Sequence, residues 1–351
     1  MEHGSPGQSH GGSGGIMIHR IRSLLLALGL SSVLLSLFLI IGGYNPWRFF
    51  GLMATSTWGS ESGFLLLLTK TSLLILTGLA VAIPYRAGLF NIGGEGQMLI
   101  GGMAAVLAGI YLSPLLGILG WVVCLALGMV CGATWGFGAA LLKTRRGIHE
   151  VITTIMMNFI ALHIVNECAL NYFSAGQGSS RTTFIAAGAQ LPILFNISRG
   201  ELTIGILLSI LLAVALHWGL YRTWPGFHLL AVGKNAVSSA YAGIHVGKMH
   251  GLSMLVGGAC AGLAGAIQVC GIDHTFYARF AGGYGFDGIA VAFLALNEPL
   301  ATIPASLILA TLRASDRALQ LEIGIPKEIV FIIEGIVIIS IAIFTRRRIH
   351  D

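Results

Sequence analysis

The feature that most constrains this chain is a series of ten long apolar runs separated by polar segments. About 20 apolar residues suffice to cross the hydrocarbon core of a bilayer. Here 55% of the residues are hydrophobic and 10% are charged, whereas a soluble domain carries about 25% charged residues. The sequence therefore predicts an all-α integral membrane protein of about ten transmembrane helices. The apolar runs lie at about 23–43, 64–83, 96–112, 114–141, 151–172, 203–221, 249–270, 284–297, 299–316 and 326–344.

The basic residues predict how these helices are oriented. Loops that face the cytoplasm carry an excess of Lys and Arg. With ten spans and both termini in the cytoplasm, every basic cluster lies on that side, whereas nine or eleven spans would split the clusters. The segments 44–63 and 173–202, which contain no Lys, then form outward-facing loops. The basic clusters are Arg20 with Arg22, KTRR at 143–146, Arg222 with Lys234 and Lys248, and RRR at 346–348.

The first sixteen residues, MEHGSPGQSHGGSGGI, differ from the rest of the chain. They are rich in Gly, Ser and His and lack the apolar core of a signal peptide. Such a composition cannot bury enough apolar surface to fold. We therefore expect residues 1–16 to be a disordered extension, an added tag before a natural start at Met17, and residues 17–351 to form a single polytopic membrane domain.

One stretch, YRAGLFNIGGEGQMLIGG at 85–102, is unusually polar for a membrane-embedded segment. Its glycines, with Pro84 before them, allow a helix to break, and irregular backbone survives in a membrane only inside protein or beside a wet cavity. A carboxylate such as Glu95 is costly in hydrocarbon unless it is paired or faces water. The stretch therefore predicts a broken span near a pathway. The amides of Asn91 and Gln97 either bind polar cargo or tie the broken backbone ends together.

A second stretch, AGGYGFDGIAVAFLA at 281–295, has the same character. It combines glycines with Asp287 and then becomes apolar. Aligned with LFNIGGEGQMLIGGMAA, it indicates a weak internal repeat. Transporters often place their pathway between two such repeats, with interrupted segments in corresponding positions.

Other polar groups lie within the apolar runs. In the fifth run one helical face carries Glu150, Thr153, Thr154 and Asn158. This face is expected to contact either cargo or a neighbouring helix, and Asn158 is the better cargo candidate. An ion-pair network is predicted in the ninth run, made by Arg313, Asp316 and Arg317. An intramembrane carboxylate, Glu334, either has a functional role or makes a helix-to-helix hydrogen bond.

No pattern in the sequence predicts catalysis or metal binding. The five cysteines have no Cys-x-x-Cys spacing and are expected to be free thiols. The motif HEVIT at 149–153 lacks the second His of a zinc-protease helix. A phosphate loop of the form G-x-x-x-x-G-K-[ST] is also absent from the sequence, so any ATP must be hydrolysed elsewhere. We therefore predict that the chain is not an enzyme and holds no cofactor or metal of its own.

Five motifs occur in order along the chain: RAGLFNIGGEGQ, EVITTIMMNFIALHIVN at 150–166, YAGIHVGKMHGLSMLVGGACAGLAGA at 241–266, GYGFDGIAVAFLA at 283–295, and GIPKEIV at 324–330. Together they resemble the membrane permease subunits of bacterial ABC importers, a family that covers ribose, branched-chain amino acid and nucleoside permeases. The resemblance extends from about residue 64 to 344. The combination of RAGLFNIGGEGQ with GYGFDGIAVA resembles the nucleoside branch.

This resemblance implies a location in the bacterial cytoplasmic (inner) membrane and a set of partners. They are a second homologous permease, a cytoplasmic ABC ATPase that binds ATP and Mg²⁺, and an extracytoplasmic solute-binding protein. Membrane lipid surrounds the chain. Nucleic acid is not an expected partner, because the net charge of +6 is small and lies in the loops.

The loop at 222–248, RTWPGFHLLAVGKNAVSSAYAGIHVGK, fits the coupling segment of such permeases. The part GKNAVSSAYAGI is predicted to form a short amphipathic helix across the cytoplasmic face, with small residues that fit a groove on the ATPase. The alternative is a plain interhelical loop, although an unpartnered loop of this length is uncommon. The candidate coupling residues are Gly226, Gly233, Lys234, Asn235, Ala236, Ala240 and Gly243.

The sequence thus predicts half of a translocation pathway for nucleosides or a related sugar-containing solute, driven by ATP hydrolysis on partner subunits. An aromatic ring can stack on a nucleobase while amides satisfy its polar edges. Ribose and branched-chain amino acids remain alternative cargos. A self-sufficient secondary transporter that uses Glu95, Asp287 or Glu334 as a proton relay is the rival class. The candidate pathway residues are Phe90, Asn91, Glu95, Gln97, Asn158, Phe286 and Asp287.

Overall fold

The computed structural model describes residues 29–176, 181–197, 200–277 and 280–326, together with 329, 332, 333, 335, 336 and 339. Some of the predictions made above fall outside the described residues. These are the tag at 1–16, the start at Met17, the basic clusters Arg20 with Arg22 and RRR at 346–348, and the intramembrane Glu334.

The chain divides into two units, Met1–Pro46 with Glu328–Asp351, and Trp47–Lys327. The first unit contains helix α1, Gly29–Ile41. The second contains nearly all of the other described elements and every candidate site residue. The expectation that 17–351 is a single domain stays a prediction.

Helices make up most of the described chain. Beyond α1 they are α2 Pro46–Thr57, α3 Glu61–Arg86, α4 Gly94–Tyr111, α5 Ser113–Leu116, α6 Gly120–Arg146, α7 Glu150–Glu167, α8 Gly205–Arg222, α9 Trp224–Lys234, α10 Ala236–Tyr241, α11 Val246–Gln268, α12 Tyr284–Leu294 and α13 Thr302–Ile323. Each of α7 and α11 continues into a wider π turn, Cys168–Tyr172 and Val269–Asp273 respectively. Two short 3₁₀ turns are Gly117–Leu119 and Ala187–Ala189.

The predicted multi-pass, all-α membrane architecture is confirmed. Each apolar run from 64–83 to 299–316 coincides with a helix. Within the described residues five helical stretches are long and apolar enough to cross a membrane, or six if α1 and α2 together form one broken span. These five are Glu61–Arg86, Ser113–Arg146, Glu150–Tyr172, Gly205–Arg222 and Val246–Asp273. Helix α12, with 11 residues, is too short to span alone and begins at a broken segment.

Two of the predicted outward loops contain regular structure. Segment 44–63 includes the helix α2. Segment 173–202 leads into an antiparallel hairpin of β1, Ile193–Ile197, and β2, Gly200–Thr203, with Ile197 paired to Gly200. The hairpin was missed because β1, ILFNI, does not alternate polar and apolar residues and is exposed along most of its length.

The centre of the second unit is α11, which is buried along most of its length and packs against α3, α4 and α6. Glycines make this packing possible. A Cβ added to Gly262 of α11 would lie 2.2 Å from the carbonyl oxygen of Gly128 in α6, and one added to Gly132 would lie 2.5 Å from that of Gly258. Glycines at these positions let the two helix backbones touch directly, and such close packing stabilises helix pairs in lipid, where there is no hydrophobic drive for helices to associate.

Candidate functional site

The predicted break in the polar stretch lies between α3 and α4. Helix α3 ends where Pro84 accepts hydrogen bonds at its carbonyl from Ala87 and Leu89, and the chain then runs without helical structure to Gly93. Helix α4 begins at Gly94. The break is buried inside protein, which is the condition under which a membrane tolerates irregular backbone.

Asn91 and Gln97 hold this break together. The Asn91 side chain is fully buried, and its Nδ2 donates to the carbonyl oxygen of Ala80 at 2.9 Å and to Gln97 Oε1 at 3.0 Å. Its Oδ1 accepts from the backbone N–H of Gly93 at 2.9 Å and from Gln97 Nε2 at 3.2 Å. Of the two roles considered for these amides, the geometry favours tying the backbone. Their contact with cargo stays a prediction.

Helix α7 supports the break from the other side through Asn158. The Asn158 Nδ2 donates to the carbonyl oxygen of Ile92 at 2.8 Å, and its Oδ1 accepts from the backbone N–H of Gly96 at the same distance. Thr154, one turn earlier, accepts from the N–H of Ile92 at 3.3 Å. The polar face predicted on this helix therefore satisfies backbone groups that the break leaves unpaired.

Glu95 joins the first broken stretch to the second. Its Oε1 accepts from the backbone N–H of Gly283 at 3.0 Å, and its Oε2 accepts from that of Gly285 at 2.8 Å. The carboxylate thus caps the N-terminus of α12, where helix dipole and unpaired N–H groups favour negative charge. Gly285 allows the approach, since a Cβ there would lie 2.1 Å from the Glu95 nitrogen. The two stretches that resemble a repeat are therefore in contact.

Asp287 is part of an ion pair that links α12 to α13. Arg313 donates through Nε to Asp287 Oδ2 at 2.7 Å, and through Nη1 to the carbonyl oxygen of Gly282 at 3.2 Å. The predicted ion-pair network of Arg313 with Asp316 and Arg317 missed Asp287 as a partner of Arg313. The Arg313 side chain instead turns toward the N-terminal end of α12, 26 positions earlier in sequence, because a buried carboxylate there requires a cation.

Two residues of this cluster were missed by the sequence analysis. Lys70 of α3 donates to the Tyr284 hydroxyl at 2.8 Å and lies 5.5 Å from the centre of that ring. The Arg313 guanidinium lies 5.2 Å from the same ring. A lysine in the middle of an apolar run was the available signal, because such a group needs a partner in a membrane.

The loop before α12 is anchored at its other end by Gln268. Its Nε2 donates to Asp273 Oδ2 and to the carbonyl oxygen of Phe280, both at 3.0 Å. Burial, with the nearby Asp273 carboxylate, raises the pKa of Tyr277 in this loop to about 12. The loop is therefore held on both sides of its glycines, by Gln268 before them and by Glu95 and Arg313 at them.

The two aromatic candidates, Phe90 and Phe286, both have accessible surface, whereas Asn91, Gln97 and Asp287 are buried. Phe286 at the start of α12 is 45% exposed. Phe90 is partly buried, and its ring centre lies 5.8 Å from that of Phe293, two turns beyond Phe286 on the same side of α12. Tyr85 touches Phe293 from the end of α3, with ring centres 6.1 Å apart. Phe293 and Tyr85 extend the aromatic surface. They were not predicted, because the sequence does not show that the two residues lie beside Phe90 in the fold.

The predicted coupling segment is helical. Asn235 caps α10 by accepting from the backbone N–H of Ser238 at 2.9 Å, and Gly243 ends it with a φ of +83°. Ala236 is partly buried, whereas Lys234 and Ala240 are exposed. The segment also exposes several large apolar side chains, namely Trp224, Phe227, Val237 and Tyr241. The short helix is confirmed, and its contact with an ATPase stays a prediction.

Two glycines of this segment serve packing within the chain. A Cβ at Gly226 would lie 2.2 Å from the carbonyl oxygen of Gly219, and one at Gly233 would lie 2.0 Å from that of Arg86. Gly226 thus permits the tight corner between α8 and α9. Gly233 permits the end of α9 to rest on the end of α3.

The described residues include a cavity with both polar and apolar lining that the sequence analysis did not find. It has a volume of about 720 Å³ and lies at the start of α3, the end of that helix away from the coupling segment. Its polar lining comes from Ser56, Ser60, Ser62, Thr69, Glu201, Arg317 and Glu322. Elsewhere in the described residues no group of three or more His, Cys, Asp or Glu side chains is arranged to hold a metal ion. All five cysteines are free thiols, as predicted.

Membrane-spanning helices with two interrupted segments that meet in the protein interior define a polytopic membrane permease. The chain belongs to the family described as branched-chain amino acid transport system / permease component, whose family model matches residues 63–342. As a permease component it takes part in transport. No solved structure matches the chain.

Three relatives illustrate the similarity. The guanosine ABC transporter permease protein NupP of Bacillus subtilis (strain 168) is 40% identical over 273 residues, which cover 76% of this chain and 77% of the relative. The nucleoside ABC transporter permease protein NupB of Lactococcus lactis subsp. cremoris is 32% identical, covering 91% and 90%. The glucose ABC transporter permease protein TsgB13 of Haloferax volcanii is 30% identical, covering 91% and 85%.

Proposed function

We propose that this chain is one of two permease subunits of an ATP-driven importer for nucleosides. The observation that carries the proposal is the similarity over most of the chain to permeases named for guanosine and for nucleosides. Alternating access would follow from ATP hydrolysis, with Mg²⁺, on a partner ATPase. The chain would lie in the bacterial cytoplasmic membrane with both termini in the cytoplasm.

The aromatic surface is consistent with this cargo. Phe286 and Phe90 offer flat, partly accessible faces, and a nucleobase binds by stacking on such faces while its edges are hydrogen-bonded. We assign these two rings to direct contact with the base. The polar candidates form the wall behind them and keep the broken segments in place: Asn91, Glu95, Gln97, Asn158 and Asp287.

A paralogous second permease is the proposed partner within the membrane. Two relatives from Bacillus subtilis match this chain, the guanosine permease proteins NupP and NupQ, at 40% and 25% identity. Lactococcus lactis likewise has the matching nucleoside permease proteins NupB and NupC, at 32% and 22%. This chain has a higher sequence identity to one member of each pair than to the other, as expected for one half of a heterodimer. An extracytoplasmic binding protein would deliver the solute to this heterodimer.

A sugar is the second candidate cargo. The observation that favours it is the 30% identity to a permease named for glucose over 329 residues. Polyhydroxy solutes need hydrogen-bond partners more than flat surfaces. The cavity lined by serines and charged groups at the start of α3 provides such partners.

The test is uptake by the reconstituted complex. The chain is co-expressed with its proposed partners, an ATPase, a second permease and a binding protein, and the complex is placed in proteoliposomes containing ATP. Tritiated guanosine should accumulate, and excess unlabelled guanosine or uridine should compete while ribose, glucose and leucine should not. Competition by glucose alone would favour the sugar. Accumulation by this chain alone along a proton gradient would show a secondary transporter and overturn the proposal.

A further inference from the structure

The turn between α12 and α13 has an unusual backbone. Helix α12 ends at Leu294, and Leu296 and Asn297 follow with φ angles of +52° and +56°. A left-handed residue after a helix is usually Gly, sometimes Asn, because the Cβ of other residues meets the backbone there. Asn297 therefore fits its position, but Leu296 does not. A left-handed leucine persists only where surrounding contacts hold it.

Those contacts come from Arg86 at the end of α3. Its Nε donates to the carbonyl oxygen of Asn297 at 2.8 Å, and its Nη2 donates to Glu298 Oε2 at 2.5 Å. The same Nη2 lies 3.5 Å from the carbonyl oxygen of Leu296. One planar guanidinium thus binds three consecutive residues of the strained turn, a geometry that Arg provides and Lys does not.

Glu298 extends the cluster to α8. Its Oε2 accepts from the Tyr221 hydroxyl at 2.6 Å, and its Oε1 lies 3.0 Å from His217 Nδ1. Arg86 also touches the coupling segment, because its backbone lies against Gly233 at the end of α9. The turn that follows α12 is therefore in contact with α3, α8 and, through Arg86, α9. The buried Asn297 Oδ1 accepts no hydrogen bond from the described residues. In this conformation the turn therefore contains a buried acceptor without a donor.

We propose that Arg86 and Glu298 are positioning residues that link the coupling segment to α12. This inference rests on the proposed ATP-driven function. Displacement of α9 moves the end of α3 through the Gly233 contact. The hydrogen bonds from Arg86 to the strained turn then weaken or strengthen. Because the turn follows α12 directly, the N-terminal end of α12, which Glu95 caps, moves as well. The strain at Leu296 favours release whenever the Arg86 contacts weaken.

Three variants of the reconstituted complex test this proposal, with tritiated guanosine uptake and ATP hydrolysis measured together. Glu298→Gln removes the charge that binds Arg86 and keeps the side-chain size. Leu296→Gly removes the strain and leaves every side chain of the cluster intact. His274→Gly is the matched control, because His274 is also left-handed, with a φ of +55°, but follows the C-terminal end of α11, whereas the coupling segment leads into the N-terminal end of that helix. Thermal unfolding of each detergent-solubilised variant is the structural readout.

Glu298→Gln and Leu296→Gly should each lower uptake per ATP hydrolysed by about fivefold or more, the lower end of typical coupling between sites. His274→Gly should leave that ratio unchanged. Leu296→Gly is the decisive variant, because relief of strain should keep or raise its unfolding temperature while coupling falls. An unchanged uptake per ATP in Leu296→Gly would overturn the proposal, whatever the result for Glu298→Gln. Absence of ATP-driven uptake by the wild-type complex would overturn the proposed function itself.

Discussion

The carboxylate of Glu95 and the backbone N–H of Gly285 are joined by a hydrogen bond of 2.8 Å, across 190 positions of sequence. This bond connects the first turn of α4 to the first turn of α12. Both helices begin at a break within the membrane domain. The contact therefore makes the two interrupted segments a single unit, in which neither can shift without the other.

Replacing Glu95 by Gln should destabilise the protein. The amide keeps one acceptor oxygen, but its NH₂ group faces a backbone N–H and the negative charge at the α12 N-terminus is lost. We expect a loss of about 1–3 kcal/mol in the free energy of unfolding, the usual range for a buried unsatisfied group. Thermal unfolding in detergent measures it. Glu201→Gln, at an exposed carboxylate of β2, is the control and should change little.

Replacing Asn91 by Ala separates its two candidate roles. The structure predicts lower stability and an equal loss of uptake for all cargos, because Ala80, Gly93 and Gln97 lose their partner. The cost is about 1–3 kcal/mol. Unfolding temperature and competition uptake are measured on the same preparation. A stable variant with altered nucleoside preference would instead assign Asn91 to direct cargo contact.

Replacing Phe286 by Ala should give the opposite pattern. The ring is 45% exposed, so its removal should leave the unfolding temperature close to that of the wild type. If the ring stacks on the base, loss of about 1 kcal/mol of aromatic contact should weaken apparent guanosine affinity several-fold. Phe286→Tyr retains the ring and serves as the matched variant. Equal guanosine affinity in the Ala and Tyr variants would remove Phe286 from the pathway.

Replacing Ala240 by Arg tests the coupling segment. Ala240 is exposed on α10, so a bulky charge should be tolerated by the fold. Uptake should be abolished if this small side chain enters a groove on the ATPase, and less ATPase should co-purify. Ala187→Arg, also at an exposed alanine but outside the segment, is the control and should retain uptake. Normal ATP-driven uptake by the Ala240 variant would show that α10 does not enter the ATPase.

Sequence predicted the elements of this protein better than their partners. Long apolar runs predict spans because a bilayer forces the backbone to satisfy its own hydrogen bonds. Glycines with Asn91 and Glu95 predicted a break for the same reason. The strands of the hairpin and helix α2 were not predicted, because both lie in segments that were interpreted as loops.

Only the tertiary structure decided which polar groups meet. The sequence left open whether Asn91 binds cargo or backbone, and it paired Arg313 with its neighbours Asp316 and Arg317. In the fold Asn91 ties the break and Arg313 binds Asp287, because a buried polar group takes whichever partner packing brings within about 3 Å. The position of an apolar run depends only on residues that are close together in the sequence, so the sequence alone predicts it. The pairing of groups 26 to 190 positions apart depends on helix packing, which a local pattern does not contain.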